Sequence, residues 1–291
     1  MRDDTQTTPH VHVVTVATRS QGYYEIFKES CKRQRLNVRV VGWGREWAGW
    51  TGRLDWLLES ISDIPDCDVL LIMDAFDTFV LGGEKELLDK YRSFNSPIVV
   101  SAERKQWMDA LFYDVLFNPS RPLSRTPYNR PSAGAYMVNA GHAKSFLLRL
   151  RDVTKRRGGD DQVAFVEMAL ASEDIVMDHE CLIFQNISPR VIRWRSMWDA
   201  FRLKIQNGRL INTEFDTMPC VVHGPGGEDL CPLITGLFPE LPCPVLSKEW
   251  SDTKMKEYNI MIIRHGISRY WFGIALFVMV AMWIMFRLKR K

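Results

Sequence analysis

Residues 69–77 read Val69-Leu70-Leu71-Ile72-Met73-Asp74-Ala75-Phe76-Asp77, an uncharged apolar run that stops at two carboxylates. Pro65 lies before it and Gly82-Gly83 beyond it. A run of this kind suits a central strand buried on both faces. A carboxylate at the carboxyl end of such a strand sits where open α/β sheets bind ligands. Two of them can hold a hard divalent cation against a diphosphate. Positions i and i+3 of an extended strand face opposite sides, so the chain must turn at Ala75-Phe76 for Asp74 and Asp77 to converge. The other reading is an acidic strand end followed by a loop.

Outward from this run, strand and helix patterns alternate. Val11–Thr18 is β-branched and apolar, Val38–Gly42 is a second strand, and Ile98–Ser101 a further one. Ser20–Arg35, Leu54–Ile61 and Glu84–Tyr91 carry helical spacing. The order predicts an α/β fold with a largely parallel sheet. Beyond it, Trp107–Tyr128 reads as a loop-heavy insert rich in Pro, Arg and aromatics. Ala135–Asn139 is a short strand, Ala143–Arg151 and Asp160–Ala171 are helices, and Cys220–Gly224 is a last strand. Residues 228–268 read as an irregular stem.

The 291 residues are 46% hydrophobic and 25% charged, an ordinary globular composition, with a net charge of +3. That charge, without a basic run interleaved with aromatics, argues against a nucleic-acid partner. None of the six cysteines forms a C-x-x-C pair, which argues against zinc. Cys231 and Cys243 flank a Pro-rich loop; a bridge and two free thiols are both open. Residues 1–10 lack an apolar core, read as disordered and are no secretory signal. Tyr270 to Phe286 runs 17 residues without a charge, with Trp271 and Trp283 near its ends and Arg269, Arg287, Lys289, Arg290 and Lys291 outside. This suits a C-terminal membrane anchor over 269–291 better than a buried core helix.

Three further constellations bear on chemistry. His223 ends an apolar strand and enters Gly224-Pro225-Gly226-Gly227, where a histidine can ligate metal and a glycine-rich turn can approach a phosphate. It equally suits a capped surface histidine. Asp160-Asp161 follow Gly158-Gly159 at a helix start, which the macrodipole favours. The chemical reading makes one of them a base or a partner of sugar hydroxyls. Trp43, Arg45 and Arg53 follow the second strand, where a cation can pair with a diphosphate and an aromatic can stack on a base. There is no G-x-G-x-x-G, P-loop, G-x-S-x-G or H-E-x-x-H, and no histidine begins a His-x-Asp pair.

Taken in order, these pieces resemble the glycosyltransferase domain at the N-terminus of the multifunctional lysyl hydroxylases, the procollagen galactosyl/glucosyltransferases. Val16-Ala17-Thr18 resembles that family's first strand and nucleotide-contacting loop. Gly42-Trp43-Gly44-Arg45-Glu46-Trp47 resembles its Gly-x-Gly-x-x-Trp segment, and Met73-Asp74-Ala75-Phe76-Asp77 its Asp-x-Tyr-Asp metal motif. Ser101-Ala102-Glu103, Asp160-Asp161-Gln162, Ile183-Phe184-Gln185-Asn186, Asp216-Thr217-Met218-Pro219 and Val222-His223-Gly224 continue the series. The shared order and spacing, from about Val13 to Gly227, carry the resemblance.

The resemblance implies a GT-A (nucleotide-diphospho-sugar transferase) fold over 11–227; the stem over 228–268 and the C-terminal transmembrane helix rest on the residues read above. It implies a nucleotide-sugar donor, UDP-linked, and Mn²⁺ held by Asp74, Asp77 and His223. Asp160 and Asp161 fall on the family's essential acidic pair and are expected to be catalytic. Arg53 falls on its diphosphate-facing lysine, and Thr18, Trp43, Phe76, Gly224 and Gly226 are expected to contact the donor. The expected acceptor is a hydroxyl on a protein or glycan, and the expected location an internal, ER- or Golgi-like membrane. Phe76 replaces the family's tyrosine, Pro131-Ser132-Ala133-Gly134 departs from Asn-Ser-Gly-Gly, and the aspartate run before Gln162 is cut to two. The collagen acceptor therefore does not carry over.

Overall fold

The computed structural model describes residues 8–104, 124, 126–159, 161–187, 202–225, 227–241, 243, 249–250, 252–254 and 256. Its centre is a six-stranded sheet in the order β2 (Asn37–Val41), β1 (Val11–Val16), β3 (Val69–Met73), β6 (Tyr128–Asn139), β5 (Ile98–Arg104), β7 (Ile175–Asp178). β1 pairs parallel with β2 and β3, and β5 parallel with β7. β6 runs antiparallel between β3 and β5, so the expected parallel sheet contains one reversed strand. It pairs with the strand that precedes it in the chain, and most of the expected insert between them, Trp107–Tyr128, lies outside the described residues.

The apolar run is buried because both faces of β3 are covered. Leu70 and Ile72 enter a core with Leu54 and Leu57 of α2 (Gly49–Ser60), Phe146, Leu147 and Leu150 of α4 (Ala140–Arg156), and Phe165 of α5 (Asp161–Ala171). Val69, Leu71 and Met73 enter the opposite core with Tyr24 and Phe27 of α1 (Tyr24–Arg33), and Leu87 and Leu88 of α3 (Glu84–Ser93). Alternate side chains of one strand thus serve two layers, which is why the sequence shows a continuous apolar run.

A smaller sheet closes over the carboxyl end of β3. Its order is β4 (Thr78–Val80), β11 (Val221–His223), β8 (Phe184–Asn186). β4 follows the Asp74–Asp77 turn directly, so the turn joins the two sheets. β9 (Leu203–Gln206) and β10 (Arg209–Asn212) form a hairpin in the stretch left without elements above. Within 228–268, the expected irregular stem, residues Cys231–Leu237 form helix α6. Leu230, Ile234 and Phe238 are buried there with Tyr23, Ile26, Phe79 and Val222. Cys231 is disulfide-bonded to Cys243.

Among the described residues no helix is long and apolar enough to cross a membrane. Tyr270–Phe286 lies outside the described residues.

Candidate active site

The turn needed at Ala75-Phe76 is present. Ala75 is buried, the Phe76 carbonyl accepts the Tyr23 N–H at 2.8 Å, and Thr78 Oγ1 donates to the Asp74 carbonyl. β11 pairs with β4 so that His223 stands opposite Thr78. The Gly224 N–H closes the contact by donating to the Asp77 carbonyl at 2.8 Å. One ligand atom each from Asp74, Asp77 and His223 then lies within 4.8 Å of the others. The two carboxylates of the opening motif and the histidine some 150 residues later meet because β3–β4 and β11 share an edge.

The group fits a divalent cation on its chemistry. Two carboxylates and an imidazole are ligands for a metal such as Mn²⁺, Mg²⁺ or Zn²⁺. Asp77 Oδ1 is buried with no hydrogen-bond partner among the described residues. The His223 Nε2 lies 3.8 Å from it, too far for a hydrogen bond. On the other side of the ring, Nδ1 lies 2.7 Å from Asn186 Oδ1. Burial opposes a charge on His223, but Asp77 and then Asp74 outweigh it and raise the imidazole pKa. Burial, with Asp77 adding to it against the pull of Arg53, pushes the Asp74 carboxyl up to about 6.

Arg53 ties this group to the second acidic motif. Its guanidinium is buried and donates to Asp74 Oδ1 at 2.5 Å and to Asp161 Oδ2 at 2.8 Å. Burial disfavours its charge, yet the two carboxylates raise its pKa further. The ring of Trp50 lies 5.8 Å from the guanidinium carbon. Asp161 is buried at the start of α5. Asp160 and Gly226 lie outside the described residues.

The remaining expected contacts divide. The Thr18 carbonyl accepts the Gly44 N–H at 2.9 Å, which joins the loops after β1 and β2. Trp43 is exposed and stacks on Tyr24 at 5.1 Å, and Tyr24 meets Phe76 at 6.5 Å. These three rings form a continuous aromatic wall whose last member, Phe76, stands in the turn between Asp74 and Asp77. Gly224 is different: its N–H is already used by Asp77, so it is not an amide open to a phosphate.

Three participants were given no role by the sequence, although Asn186 stands in the Ile183–Asn186 stretch of the resemblance. Gly134 lies against the His223 ring, where an added Cβ would fall 2.2 Å from Cε1. Asn186 holds the same ring from β8. Trp250 packs on Phe76 at 6.4 Å. All are contacts between residues distant in sequence; Gly134 was legible only as a glycine within a departing stretch, and Trp250 carried no signal.

Residues 7–231 match the model of the PLOD GT domain family. Over 231 residues the chain is 26% identical to procollagen-lysine,2-oxoglutarate 5-dioxygenase 2 of Homo sapiens, covering 74% of this chain and 29% of that protein. Over 249 residues it is 26% identical to procollagen-lysine,2-oxoglutarate 5-dioxygenase 1 of Rattus norvegicus, covering 79% and 32%. The chain thus spans about a third of the length of these curated relatives. An uncharacterized protein of Acanthamoeba polyphaga mimivirus is 27% identical over 210 residues, covering 69% of this chain and 42% of that one. The crystal structure of a glycosyltransferase involved in the glycosylation of the major capsid of PBCV-1 aligns with a TM-score of 0.41 at 13% identity, covering 75% of this chain and 96% of that one. A likeness that loose carries no argument.

Proposed function

The chain belongs to the PLOD GT domain family, and from that premise we propose that it is a GT-A transferase moving a sugar from a nucleotide-sugar donor, UDP-linked, to a hydroxyl on a protein or glycan. The observation that carries this reading is the convergence of Asp74, Asp77 and His223 at the joint of the two sheets. A divalent cation bound there, Mn²⁺ on the family's pattern, supplies charge for the diphosphate of the donor and for the departing nucleoside diphosphate.

The protein's own groups divide the remaining work. Arg53 is the fixed cation beside the site and orients Asp161 by a direct hydrogen bond. Asp161, with Asp160 before it, holds the sugar hydroxyls or takes the acceptor proton. The wall of Trp43, Tyr24 and Phe76 gives the nucleoside an apolar face to stack against. Phe76 offers the ring without a hydroxyl, so the base or ribose loses one polar contact there.

We further propose that Tyr270–Phe286 anchors the protein in an internal membrane. Seventeen helical residues span about 25 Å, a little short of a hydrocarbon core of about 30 Å, and a thin internal bilayer suits that length. The Cys231–Cys243 bridge favours an oxidising compartment for the catalytic domain.

The deciding experiment is a panel of nucleotide sugars given to the full chain in detergent with Mn²⁺, reading release of the nucleoside diphosphate. Release from a UDP-sugar, abolished by chelator, is the expected result. No release from any donor, or release of pyrophosphate in its place, overturns the reading. Carbonate extraction tests the anchor: a full-length chain that washes off membranes overturns it.

A further inference from the structure

We infer that Asn186 is a positioning residue for His223: its amide oxygen fixes the imidazole ring and its tautomer, so that Nε2 is the atom presented to a divalent cation. The inference rests on the reading of Asp74, Asp77 and His223 as a cation site.

β8 and β11 pair in parallel with His223 opposite Asn186, which puts both side chains on the same face of the small sheet. Asn186 is 2% exposed and His223 3% exposed, so neither ring nitrogen is reached by bulk water. Asn186 Oδ1 stands 2.7 Å from Nδ1. An amide oxygen only accepts, so Nδ1 carries the proton and donates it. A neutral imidazole has one N–H, and Nε2 is left with its lone pair, on the side of Asp77. Gly134 supplies the second wall: an added Cβ would come within 2.2 Å of Cε1 and 2.5 Å of Nε2, so the ring lies directly on the β6 backbone.

Asn186 Nδ2 is buried with no hydrogen-bond partner among the described residues. A buried orphan N–H costs about 1–3 kcal/mol. The alternative use of the residue, as the acceptor of the formal sequon Asn186-Ile187-Ser188, is closed by its burial.

The test is Mn²⁺ binding to the full chain without nucleotide, measured by calorimetry or by the electron paramagnetic resonance of free Mn²⁺. Outer partners of ligating histidines are worth 10–100-fold in metal affinity. Asn186→Leu keeps the shape and removes the acceptor, and should weaken binding by about that factor. Asn186→Asp keeps an oxygen on Nδ1 and should bind within about threefold of wild type, or more tightly. Equal loss in both variants, or none in Asn186→Leu, overturns the inference. Should Asn186→Leu not fold, nitrogen NMR of the metal-free wild type, taken at a pH where the imidazole is neutral, decides: the proton on His223 Nδ1 supports the inference, and the proton on Nε2 overturns it. A wild type that binds no Mn²⁺ overturns the cation site itself, while the tautomer still decides the role of Asn186.

Discussion

Two clusters of partly buried charge stand at opposite ends of the β4–β11 pair, and they differ in how far their carboxylates are satisfied. In the first, Glu86 of α3 receives both guanidinium nitrogens of Arg209 at 2.8 Å and the Lys90 ammonium at 2.6 Å. Burial works against the Glu86 charge, but Arg209 and Lys90 prevail and hold its carboxyl down at about 2. In the second, Asp74 is pushed up to about 6, chiefly by burial, although Arg53 touches it. Asp77 Oδ1 has no hydrogen-bond partner among the described residues. In the first cluster both carboxylate oxygens of Glu86 are paired, and the pairing pins the β9–β10 hairpin to α3, with Arg209 Nε left without a hydrogen-bond partner among the described residues. The second has one guanidinium for two of its three aspartates and wants another cation. Incomplete satisfaction of this kind marks groups assembled for a ligand.

The comparison breaks most visibly at Asp77. Asp77→Ala should abolish Mn²⁺-dependent turnover while leaving the melting temperature of the metal-free protein unchanged or slightly higher, since it removes an unpartnered buried oxygen. Full activity of this variant in chelator would remove the metal from the mechanism. A large fall in its melting temperature would make Asp77 a structural group like Glu86.

Next in size is Asp161→Asn, which keeps shape and an acceptor for Arg53 but removes charge. If Asp161 acts in the chemical step, kcat falls by about 10²–10⁴ with donor KM little changed. An unaltered rate in both this variant and Asp160→Asn would leave the acidic pair as a helix-start feature.

The central sheet was legible because its signals are local. A five-residue run buried on both faces has no polar position, and β3 came out with the boundaries read for it, Val69–Met73. The reversal of β6 was not legible, since direction depends on the connection and not on the strand's own residues. β6 is also much longer than the expected Ala135–Asn139, beginning at Tyr128 and carrying Pro131 inside it. That proline lies opposite Ala102, between two register shifts in the pairing with β5 and outside the stretch of β6 that pairs with β3, which is where a sheet tolerates a missing N–H. At the site, Asp74 and Asp77 announced themselves as carboxylates after an apolar run. Arg53 was placed by resemblance to face a diphosphate, but its salt bridges to Asp74 and Asp161 are tertiary contacts that no spacing reveals.

The structural cluster gives a smaller effect. Glu86→Gln should cost about 1–2 kcal/mol at neutral pH, between an exposed pair and a buried network. That is a fall of about 2–8 °C in melting temperature for a domain of this size, with turnover retained. Glu86 has a depressed pKa, so its contribution is present above the unfolded value of about 4.5 and lost as pH falls toward about 2. The gap between wild type and variant should therefore close in acid. A gap undiminished at about pH 2 would mean that shape, not charge, holds the hairpin.

Asp74 should show the opposite slope, and the smallest effect. Its folded pKa, about 6, is raised above the unfolded value of 3.8, so the folded chain holds this proton more tightly. The stabilisation from that proton is full below about pH 4 and is lost as pH rises through about 6. Asp74→Asn has no such proton, so in chelator the wild type should lose stability relative to the variant between pH 4.5 and 7. Asp74 keeps some contact with solvent and with Arg53, which limits the change to about 1 kcal/mol, a few degrees. Added Mn²⁺ should reverse the trend, because a cation that binds the ionised carboxylates stabilises the fold most at the higher pH. Melting curves at several pH values, with chelator and with Mn²⁺, read both slopes. A wild type whose relative stability rises with pH in chelator would show that Arg53 satisfies Asp74 as fully as Arg209 satisfies Glu86, and the contrast between the two clusters would disappear.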